Sequence, residues 1–335
     1  MPTRIAINGF GRIGRAAFKI AHEIPEIEIV AVNDLMANDN MVYLLKYDTI
    51  YGHYGQEVNI ANDQLTVDGQ KYQVLSEKDP TQLPWKELEV DVVLECTGFF
   101  TDKEGASKHI EAGAKTVIIS APAKGDIKTF VRGVNEQEFD PDQDKVISNA
   151  SCTTNCLAPV AKVLEDTFGV QRGLMTTIHS YTSTQSVVDG PSAKDMRRGR
   201  AAAENLVLTS TGAAEATCKV IPSLNNEFDG RSVRVPTATV SLVDLVAILD
   251  KEVIVEDINA AFTKAAAGEL KDILCVTKEP LVSNDFKQSS CLATVDLLAT
   301  MAIKNLVKVY AWYDNEWGYA YGLAKMAEYV GGKAK

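Results

Sequence analysis

The segment best suited to nucleophilic chemistry is SNASCTTNC at residues 148–156, which places Cys152 at the start of a helical stretch. The dipole and free amides of a helix N-terminus stabilise a thiolate, so we expect a lowered pKa for Cys152. Either Ser151 or Cys152 could be the N-cap residue. Cys156 lies one turn inside the helix, where a free cysteine is most often a packing residue. The pattern predicts Cys152 as a covalent nucleophile.

A cysteine nucleophile needs a base, and four histidines can supply it. His179 ends a predicted strand that follows the Cys152 helix, so a return of the chain from helix to strand could bring the two residues together. The remaining histidines are interpreted as surface or packing residues: His22, His53 and His109. We therefore predict His179 as the base.

Residues with the chemistry of an anion site follow further along the chain. Arg234 interrupts an apolar strand, and Arg197 begins the basic run RRGR. Thr211 and Gly212 precede a helical stretch and so lie at another helix N-terminus. Arginine side chains and helix N-termini are common means of holding phosphates. A solvated basic loop remains the alternative for the rest of the RRGR run.

A nucleotide motif lies near the start of the chain, where GFGRIG at residues 9–14 fits G-x-G-x-x-G between a strand and a helix. Such glycines permit a tight turn and let the backbone approach a pyrophosphate. Asp34 ends the second strand, and a carboxylate there can accept hydrogen bonds from ribose hydroxyls. A solvated turn aspartate is the alternative. Position 35 is Leu35, which cannot pair with a ribose phosphate, so the pattern favours NAD over NADP.

Two regions must position these residues. The first 150 residues alternate β-rich runs with helical patterns, which is typical of a parallel sheet with crossover helices. From Ser151 a helix is followed by long strands, which indicates a mainly antiparallel sheet. We predict an α/β protein with a doubly wound Rossmann domain at 1–150 and an α+β catalytic domain at 151–315. The predicted strands are 4–8, 27–32, 90–95, 116–120, 173–179, 232–235, 241–249 and 307–313, with helices at 12–23, 153–168, 213–220 and 316–330.

The bulk composition excludes several other classes of protein. A chain of 335 residues usually forms two domains, and 46% hydrophobic with 24% charged residues is typical of a globular protein. The sequence contains neither a long apolar run nor a signal-peptide core, so we expect a cytoplasmic protein without a membrane partner. A net charge of −11 argues against nucleic acid as the main partner. Six cysteines without C-x-x-C spacing argue against a metal site and a disulfide framework.

Several stretches resemble hallmarks of the glyceraldehyde-3-phosphate dehydrogenase family, in the same order and at similar separations: INGFGRIGR, SNASCTTNCLAP, TSTGAA, RVPT and WYDNEWGY. The resemblance covers the chain from end to end. It implies oxidation of D-glyceraldehyde 3-phosphate to 1,3-bisphosphoglycerate with NAD and inorganic phosphate, in glycolysis and gluconeogenesis. The reaction would pass through a hemithioacetal and a thioester on Cys152, with His179 as base. The resemblance also implies a homotetramer, a C-terminal helix at 316–335 packed on the first domain, and an S-shaped loop at 180–203.

The resemblance also assigns residues to the cofactor and the substrate. The cofactor contacts would be Gly9, Gly11, Arg12, Ile13, Gly14, Asp34, Lys78, Ser120 and Asn315. Among them, Asn315 would orient the nicotinamide amide. The substrate and phosphate contacts would be Ser151, Thr153, Thr182, Arg197, Thr211, Gly212 and Arg234. Two residues depart from common family patterns: Thr184 stands where some members have aspartate, and Thr239 stands where many have asparagine.

Two other functions are compatible with these residues. One is an erythrose-4-phosphate dehydrogenase with the same fold, and kinetics on both aldehydes would separate it. The other is an NAD-binding redox sensor in which Cys152 reports oxidation, and such a protein would produce little NADH.

Overall fold

The computed structural model describes residues 1–193 and 195–333, and the chain divides into two compact units. The first unit contains Met1–Phe130, Glu136–Ala150 and the described residues from Ala320 onwards. The second contains Val131–Asn135 and Ser151–Tyr319. Positions 334 and 335 of the predicted C-terminal helix lie outside the described residues. None of the described helices is long and apolar enough to cross a bilayer.

The first unit contains a large sheet, and short strands and helices surround it. Its elements in chain order are β1 (Thr3–Asn8), α1 (Arg12–His22), β2 (Ile27–Asn33), α2 (Asn38–Lys46), β3 (Tyr47–Asp48), β4 (Gly52–His53), β5 (Val58–Ala61), β6 (Gln64–Val67), β7 (Gln70–Leu75), β8 (Val92–Glu95), α3 (Lys103–Glu111), β9 (Thr116–Ile119) and β10 (Val146–Ser148). The strand order is β10-β9-β8-β1-β2-β7-β6-β5.

The strands from β10 to β7 in this order pair in parallel, and they are apolar because the central ones are covered on both faces. Every residue of β8 and β9 is buried. Strand β1 pairs with β2 on one side and with β8 on the other, so the strand order reverses beside it. In doubly wound sheets, ligands bind outside the carboxyl ends of the strands at such a reversal. The glycine motif begins directly after β1, at this edge.

The second unit contains a mixed sheet with helices. Its elements are α4 (Cys152–Phe168), β11 (Val170–Ser180), β12 (Val207–Ser210), α5 (Ala213–Val220), β13 (Phe228–Val235), β14 (Ser241–Leu249), α6 (Val255–Ala267), β15 (Leu274–Thr277), β16 (Ala293–Asp296), β17 (Met301–Ile303) and β18 (Leu306–Tyr313). The last helix, α7 (Trp317–Lys333), belongs to the first unit from Ala320 onwards. The strand order is β12-β13-β11-β14-β18-β16-β15, and β17 pairs with β18.

Antiparallel pairing dominates this second sheet, which confirms the predicted fold class. Only β11 with β13 and β15 with β16 are parallel among its described pairs. Buried and half-buried residues alternate along β14, as expected for a strand with one face on the core. The sequence analysis missed α6, whose apolar residues lie between predicted strands without a clear capping signal. The tertiary structure therefore contains more helix in this region than the strand pattern indicated.

One disulfide joins Cys275 in β15 to Cys291, which precedes β16. The sequence analysis argued against a disulfide framework and did not anticipate this bond, because the two cysteines are separated by 16 residues and belong to no motif. Parallel pairing of β15 with β16 brings their Cα atoms to 5.9 Å. The four other cysteines are free thiols.

Candidate active site

The nucleophile candidate lies at the first residue of α4. Ser151 is the N-cap residue, and its hydroxyl accepts a hydrogen bond from the backbone N–H of Thr154 at 3.1 Å. This settles which residue caps the helix. Ala150, just before the cap, has a left-handed φ of 55°, so the chain turns sharply into the helix. The Sγ atom of Cys152 lies 3.4 Å from Nε2 of His179.

The register of the second sheet brings the base candidate and an arginine together. His179 lies near the end of β11, where it pairs with Arg234 of the parallel neighbour β13. The Arg234 guanidinium donates to the carbonyl of Ser180 at 3.0 Å, and the same nitrogen lies 2.8 Å from Nδ1 of His179. Cys152, His179 and Arg234 therefore form one cluster, which we call the thiol cluster.

Burial governs the protonation of the thiol cluster. It raises the pKa of Cys152, although the charge of Arg234 and hydrogen bonds from Thr153 oppose this shift. The expected lowering of this pKa is therefore wrong, because desolvation outweighs the stabilising groups around the thiolate. Burial, followed by the charge of Arg234, lowers the pKa of His179 to about 3. Both shifts favour the neutral thiol and the neutral imidazole.

The hydrogen bonds of His179 show which nitrogen can act as a base. Its Nδ1 lies 2.7 Å from the Ser180 carbonyl, which can only accept, and 2.8 Å from a nitrogen of Arg234, which can only donate. The Ser180 bond requires the proton on Nδ1, and in that tautomer the Arg234 nitrogen bonds the Ser180 carbonyl and not the ring. Nε2 is then an acceptor and faces the Cys152 sulfur. This tautomer is ready to take the thiol proton.

Tyr313 supports the thiol cluster, and the sequence analysis did not identify it. Its buried hydroxyl lies 2.9 Å from Oγ1 of Thr153 and 2.7 Å from Oγ1 of Thr177. Its ring meets the His179 ring edge-on, with centroids 6.0 Å apart. Burial raises the pKa of Tyr313 well above its ordinary value, so the hydroxyl stays protonated. Its place in the WYDN run was a usable signal, but the cross-strand contacts were not.

Asn315 is buried close to the end of β18, and its Oδ1 accepts a hydrogen bond from Ser241 at 3.0 Å. The hydroxyl of Thr239 donates to Oδ1 of the neighbouring Asp314 at 3.2 Å. Thr239 therefore anchors the segment that carries Asn315. The hydroxyl at position 239 therefore has a structural role.

The other phosphate-site candidates have partners elsewhere in the second unit. The hydroxyl of Thr182 lies 2.8 Å from that of Thr184, and Arg197 donates to the carbonyl of Leu208 at 3.4 Å. Thr211 accepts from the N–H of Ala213 at 3.2 Å, beside Gly212, the N-cap residue of α5. The remaining arginines of the RRGR run pair with aspartates: Arg198 with Asp195 and Arg200 with Asp189.

Arg234 differs from these residues because it is also poised to bind an anion. Its Nε is buried and has no hydrogen-bond partner among the residues that the structure describes. A buried guanidinium nitrogen without a partner favours an anionic ligand, because an unmade hydrogen bond there costs free energy. The geometry therefore fits a phosphate or carboxylate near the thiol cluster.

The glycine turn of the first unit, residues 9–14, is built so that its backbone can approach a ligand. Gly9 has a φ of +95°, and a Cβ atom there would lie 2.6 Å from the backbone nitrogen of Thr97. At Gly14 a Cβ would lie 2.0 Å from the carbonyl oxygen of Gly9. At Gly11, the N-cap of α1, a Cβ would meet no atom within 4 Å. The turn is tightly packed on its inner side and open at Gly11, which fits a pyrophosphate.

Asp34 is tied directly to the glycine turn. Its carboxylate accepts the backbone N–H of Phe10 at 2.5 Å and that of Met36 at 2.8 Å. The side chain is half-buried, so it is fixed in place and still reachable by a ribose. Exposed Leu35 follows it. These contacts fit the binding of NAD.

The remaining cofactor candidates occupy varied settings in the first unit. Arg12 is the first residue of α1, and its guanidinium pairs with Asp48 at 2.5 Å. Ile13 is half-buried in α1, and Lys78 is exposed in the segment after β7. Ser120 follows β9 and hydrogen-bonds the thiol of Cys96, whose pKa burial raises to about 12.

A buried polar network lies at the carboxyl ends of β1, β2 and β8, and the sequence analysis missed it. The amide of Asn8 donates to Glu95 at 2.6 Å and accepts from Asn33 at 2.7 Å. His109 lies 3.2 Å from the same Glu95 oxygen and accepts from the Trp85 indole at 2.9 Å. Glu95 also accepts from the N–H of Thr97 at 2.8 Å. Because Thr97 packs on Gly9, the network supports the glycine turn from below.

No group of three or more metal-ligating side chains occurs within residues 1–193 and 195–333.

Comparisons with known proteins match both units. Residues 3–103 match the model of the glyceraldehyde 3-phosphate dehydrogenase NAD binding domain, and residues 151–315 match that of the glyceraldehyde 3-phosphate dehydrogenase C-terminal domain. Glyceraldehyde-3-phosphate dehydrogenase from Geobacillus stearothermophilus is 53% identical over 99% of both chains. Glyceraldehyde-3-phosphate dehydrogenase 1 from Bacillus subtilis is 51% identical over 99% of both, and the Chlamydia pneumoniae protein is 50% identical over 98% of both.

Proposed function

The chain belongs to the glyceraldehyde-3-phosphate dehydrogenase family, and we propose that Cys152, His179 and Arg234 carry its chemistry. It is an NAD-dependent oxidoreductase that acts on the aldehyde of glyceraldehyde 3-phosphate in glycolysis. The identity of about half of all residues over nearly full length favours this substrate over erythrose 4-phosphate. The same relatives favour an enzyme over a redox sensor.

The first step in our proposal is attack by Cys152 on the aldehyde carbon. Nε2 of His179, 3.4 Å from Sγ, accepts the thiol proton as the carbon–sulfur bond forms. The imidazolium then gives this proton to the new oxyanion, which completes the hemithioacetal. The neutral imidazole has a free lone pair for the proton, and its lowered pKa favours return of that proton to the oxyanion.

In the second step His179 takes the hydroxyl proton of the hemithioacetal while a hydride leaves the same carbon, and Cys152 then carries a thioester. When bound, NAD supplies the hydride acceptor. The glycine turn and Asp34 would hold its pyrophosphate and ribose, and Asn315 its carboxamide. Inorganic phosphate then attacks the thioester carbon, and an acyl phosphate leaves with restoration of the Cys152 thiolate. The thioester conserves oxidation energy that a free carboxylate would lose.

Arg234 is proposed to hold the phosphate of the substrate, with Thr182 as a further contact. Ser151, Thr153, Arg197, Thr211 and Gly212 would serve inorganic phosphate or adjoining parts of the substrate. The unpartnered buried Nε of Arg234 supports its assignment. The other residues are supported by hydroxyls and amides at the N-termini of α4 and α5.

The contact of 3.4 Å between Cys152 and His179, with Arg234 beside them, is the observation that carries this proposal. The test follows NADH formation at 340 nm with glyceraldehyde 3-phosphate, with and without inorganic phosphate. We expect turnover that depends on phosphate. Turnover that needs no phosphate would contradict the acyl-phosphate step, and binding of NAD without turnover would favour the sensor.

A pair of arginine variants tests the substrate contact. Arg234→Leu should raise the KM for glyceraldehyde 3-phosphate by about ten- to a hundredfold, because a charge-assisted hydrogen bond is lost. The KM for glyceraldehyde, which lacks the phosphate, should rise less. Arg231→Leu is the matched control, because Arg231 is exposed on the same strand. Equal losses on both substrates would mean that Arg234 serves the base or the fold instead.

We also propose a homotetramer in the cytoplasm. The outer face of the second sheet supports an assembly, because Leu174, which pairs with Val246, is 67% exposed and Leu306, which pairs with Ile248, is 41% exposed. Contiguous exposed apolar surface commonly marks an interface. Sedimentation velocity measures the assembly, and a monomer at micromolar concentration would contradict it.

A further inference from the structure

Ser241 is a wholly buried serine at the start of β14, and its hydroxyl bridges two parts of the active site. The hydroxyl oxygen accepts the backbone N–H of Ser180 at 3.1 Å. The same hydroxyl donates to Oδ1 of Asn315 at 3.0 Å. Ser180 directly follows the base candidate His179, and Asn315 is the cofactor candidate of this unit. One hydroxyl group therefore connects the residues assigned to proton transfer and to cofactor orientation.

The contact with Ser180 fixes the main chain that orients the imidazole. The Ser180 carbonyl accepts from Nδ1 of His179 at 2.7 Å, so the position of this peptide sets the tautomer and tilt of the ring. The Ser180 hydroxyl donates to the carbonyl of Val240 at 2.8 Å. Residues 240 and 241 thus hold Ser180 through both its side chain and its N–H. Freeing either contact would let the His179 ring turn away from Cys152.

The contact with Asn315 fixes which end of its amide is available. Because Oδ1 accepts from Ser241, the Nδ2 group is the end left to donate. A donor there suits the carbonyl oxygen of a nicotinamide carboxamide. Without the Ser241 hydroxyl, a rotation of 180° about the terminal bond would exchange donor and acceptor at little cost. The ring of a bound cofactor would then lose its preferred orientation.

The backbone beside Ser241 is strained in a way that indicates a functional constraint. Val240 has a φ of +67°, a left-handed conformation that a β-branched residue rarely adopts. Such strain persists only where surrounding contacts over-determine the backbone. Here the contacts are the bonds from Ser180 to the Val240 carbonyl and to the Ser241 hydroxyl.

We propose that Ser241 is a positioning residue that holds the base His179 and the cofactor-orienting Asn315 in one fixed arrangement. This inference rests on the proposed function, since it requires Asn315 to contact NAD. Ser241 itself touches neither the substrate nor the reacting atoms. It acts by limiting the rotation of two groups that must be aligned at the moment of hydride transfer.

The test compares Ser241→Ala with Ser232→Ala. Ser232 is equally buried in the same sheet, but its hydroxyl has no hydrogen-bond partner in the described part of the chain. Ser241→Ala should raise the Kd for NAD, measured without substrate, by about tenfold, which is the size of one lost hydrogen bond. It should also slow alkylation of Cys152 by iodoacetamide in the cofactor-free protein, because the base is less well oriented. Ser232→Ala should change neither quantity by more than about twofold.

A double-mutant cycle with Asn315→Ala separates positioning from a general loss of structure. If Ser241 acts through Asn315, adding Ser241→Ala to Asn315→Ala should change the Kd for NAD by less than about twofold. A tenfold rise in this Kd on adding Ser241→Ala both to wild type and to Asn315→Ala would overturn the inference. So would a Ser241→Ala protein whose Kd and alkylation rate equal those of Ser232→Ala. Ser241→Cys, which keeps the size and a weak donor, should lie between wild type and alanine if folding of Ser241→Ala is impaired.

The single variant Asn315→Ala tells this failure apart from failure of the proposed function. If Asn315→Ala leaves the Kd for NAD unchanged, the assignment of Asn315 is wrong and the inference fails with it. If Asn315→Ala weakens the binding of NAD and Ser241→Ala does not, only the inference about Ser241 fails.

Discussion

The glycine turn of the first unit and the thiol cluster of the second are built by opposite means. The glycine turn presents backbone and depends on missing side chains, since Gly9 and Gly14 have no room for a Cβ atom and Gly11 leaves open space. The thiol cluster presents side chains from α4, β11 and β13, with His179 only 4% exposed. One region is specified by local sequence, and the other by strand register and burial.

This difference has consequences for electrostatics. At the glycine turn, amides at a helix N-terminus provide a fixed partial charge. In the thiol cluster, burial moves the pKa of Cys152 up and that of His179 down, so the protonation state depends on what is packed around them. Substitutions of Cys152 and His179 should therefore alter chemistry more than binding, while those in the glycine turn should alter binding or stability and leave the chemistry intact.

The largest effect is expected for Cys152→Ser. A serine hydroxyl is scarcely ionised here, so oxidation should fall at least about a hundredfold. Cys156→Ser is the matched control, since its thiol packs against the carbonyl of Ala311 at 3.7 Å and does not face His179. Steady-state rates at 340 nm provide the measurement. Turnover above about one percent of wild type would remove Cys152 as the nucleophile.

His179→Asn should slow hydride transfer by roughly a hundredfold, the usual size of a lost general base. Asparagine keeps a polar group near the Ser180 carbonyl but offers no basic nitrogen to Sγ. Rapid-mixing measurements of the first turnover isolate the hydride step from product release. An unchanged first-turnover rate would show that the contact of 3.4 Å has no role in proton transfer.

Asp34→Gly should narrow the preference for NAD over NADP by about ten- to a hundredfold in catalytic efficiency. A ribose phosphate near this carboxylate meets a repulsion of roughly 1–3 kcal/mol after allowance for solvent. No arginine replaces the lost contact, so the preference should not reverse. Asp68→Gly is the control, because Asp68 has a left-handed φ of 50° that glycine adopts freely. A wild-type enzyme that uses both cofactors equally would show that Asp34 does not face the ribose.

Gly11→Ala should raise the Kd for NAD about tenfold while leaving the melting temperature unchanged. Its Cβ meets no protein atom within 4 Å and would occupy the space needed by a pyrophosphate. Gly14→Ala should instead destabilise the fold by about 1–3 kcal/mol, because its Cβ collides with the Gly9 carbonyl. Calorimetry and NAD titration separate the two. A loss of stability in Gly11→Ala would contradict the open side of the glycine turn.

The smallest effect concerns acid stability. His179 has a folded-state pKa of about 3 against 6.5 ordinarily, so its neutral form stabilises the fold above pH 6.5 and this contribution is lost as the pH falls. Between pH 6.5 and 5.5 the free energy of unfolding of wild type should drop by about 1 kcal/mol more than that of His179→Asn. Urea denaturation at the two pH values measures this. An equal drop in the free energy of unfolding of wild type and His179→Asn would show that burial does not hold His179 neutral.

The glycine turn and Asp34 could be predicted because the sequence pattern that indicates them is local. The glycine spacing, the strand before it and Asp34 after it all fall within 34 residues, and Gly9 and Gly14 have steric reasons in the structure. The network of Asn8, Glu95 and His109 was not predictable. Its members come from separate strands and a helix, and their contact depends on the order in which the strands pair.

By itself the sequence determined the α/β class with its two kinds of sheet, and it predicted the glycine turn and the nucleophile and base candidates Cys152 and His179. These features follow from residue types and short spacings that obey local geometry. Tertiary structure alone decided that Arg234 touches His179, that burial raises the pKa of Cys152, and that Ser241 connects Ser180 to Asn315. Strand register sets such contacts and the packed interior sets the local dielectric. Both arise from residues far apart in the chain, so no local pattern encodes them.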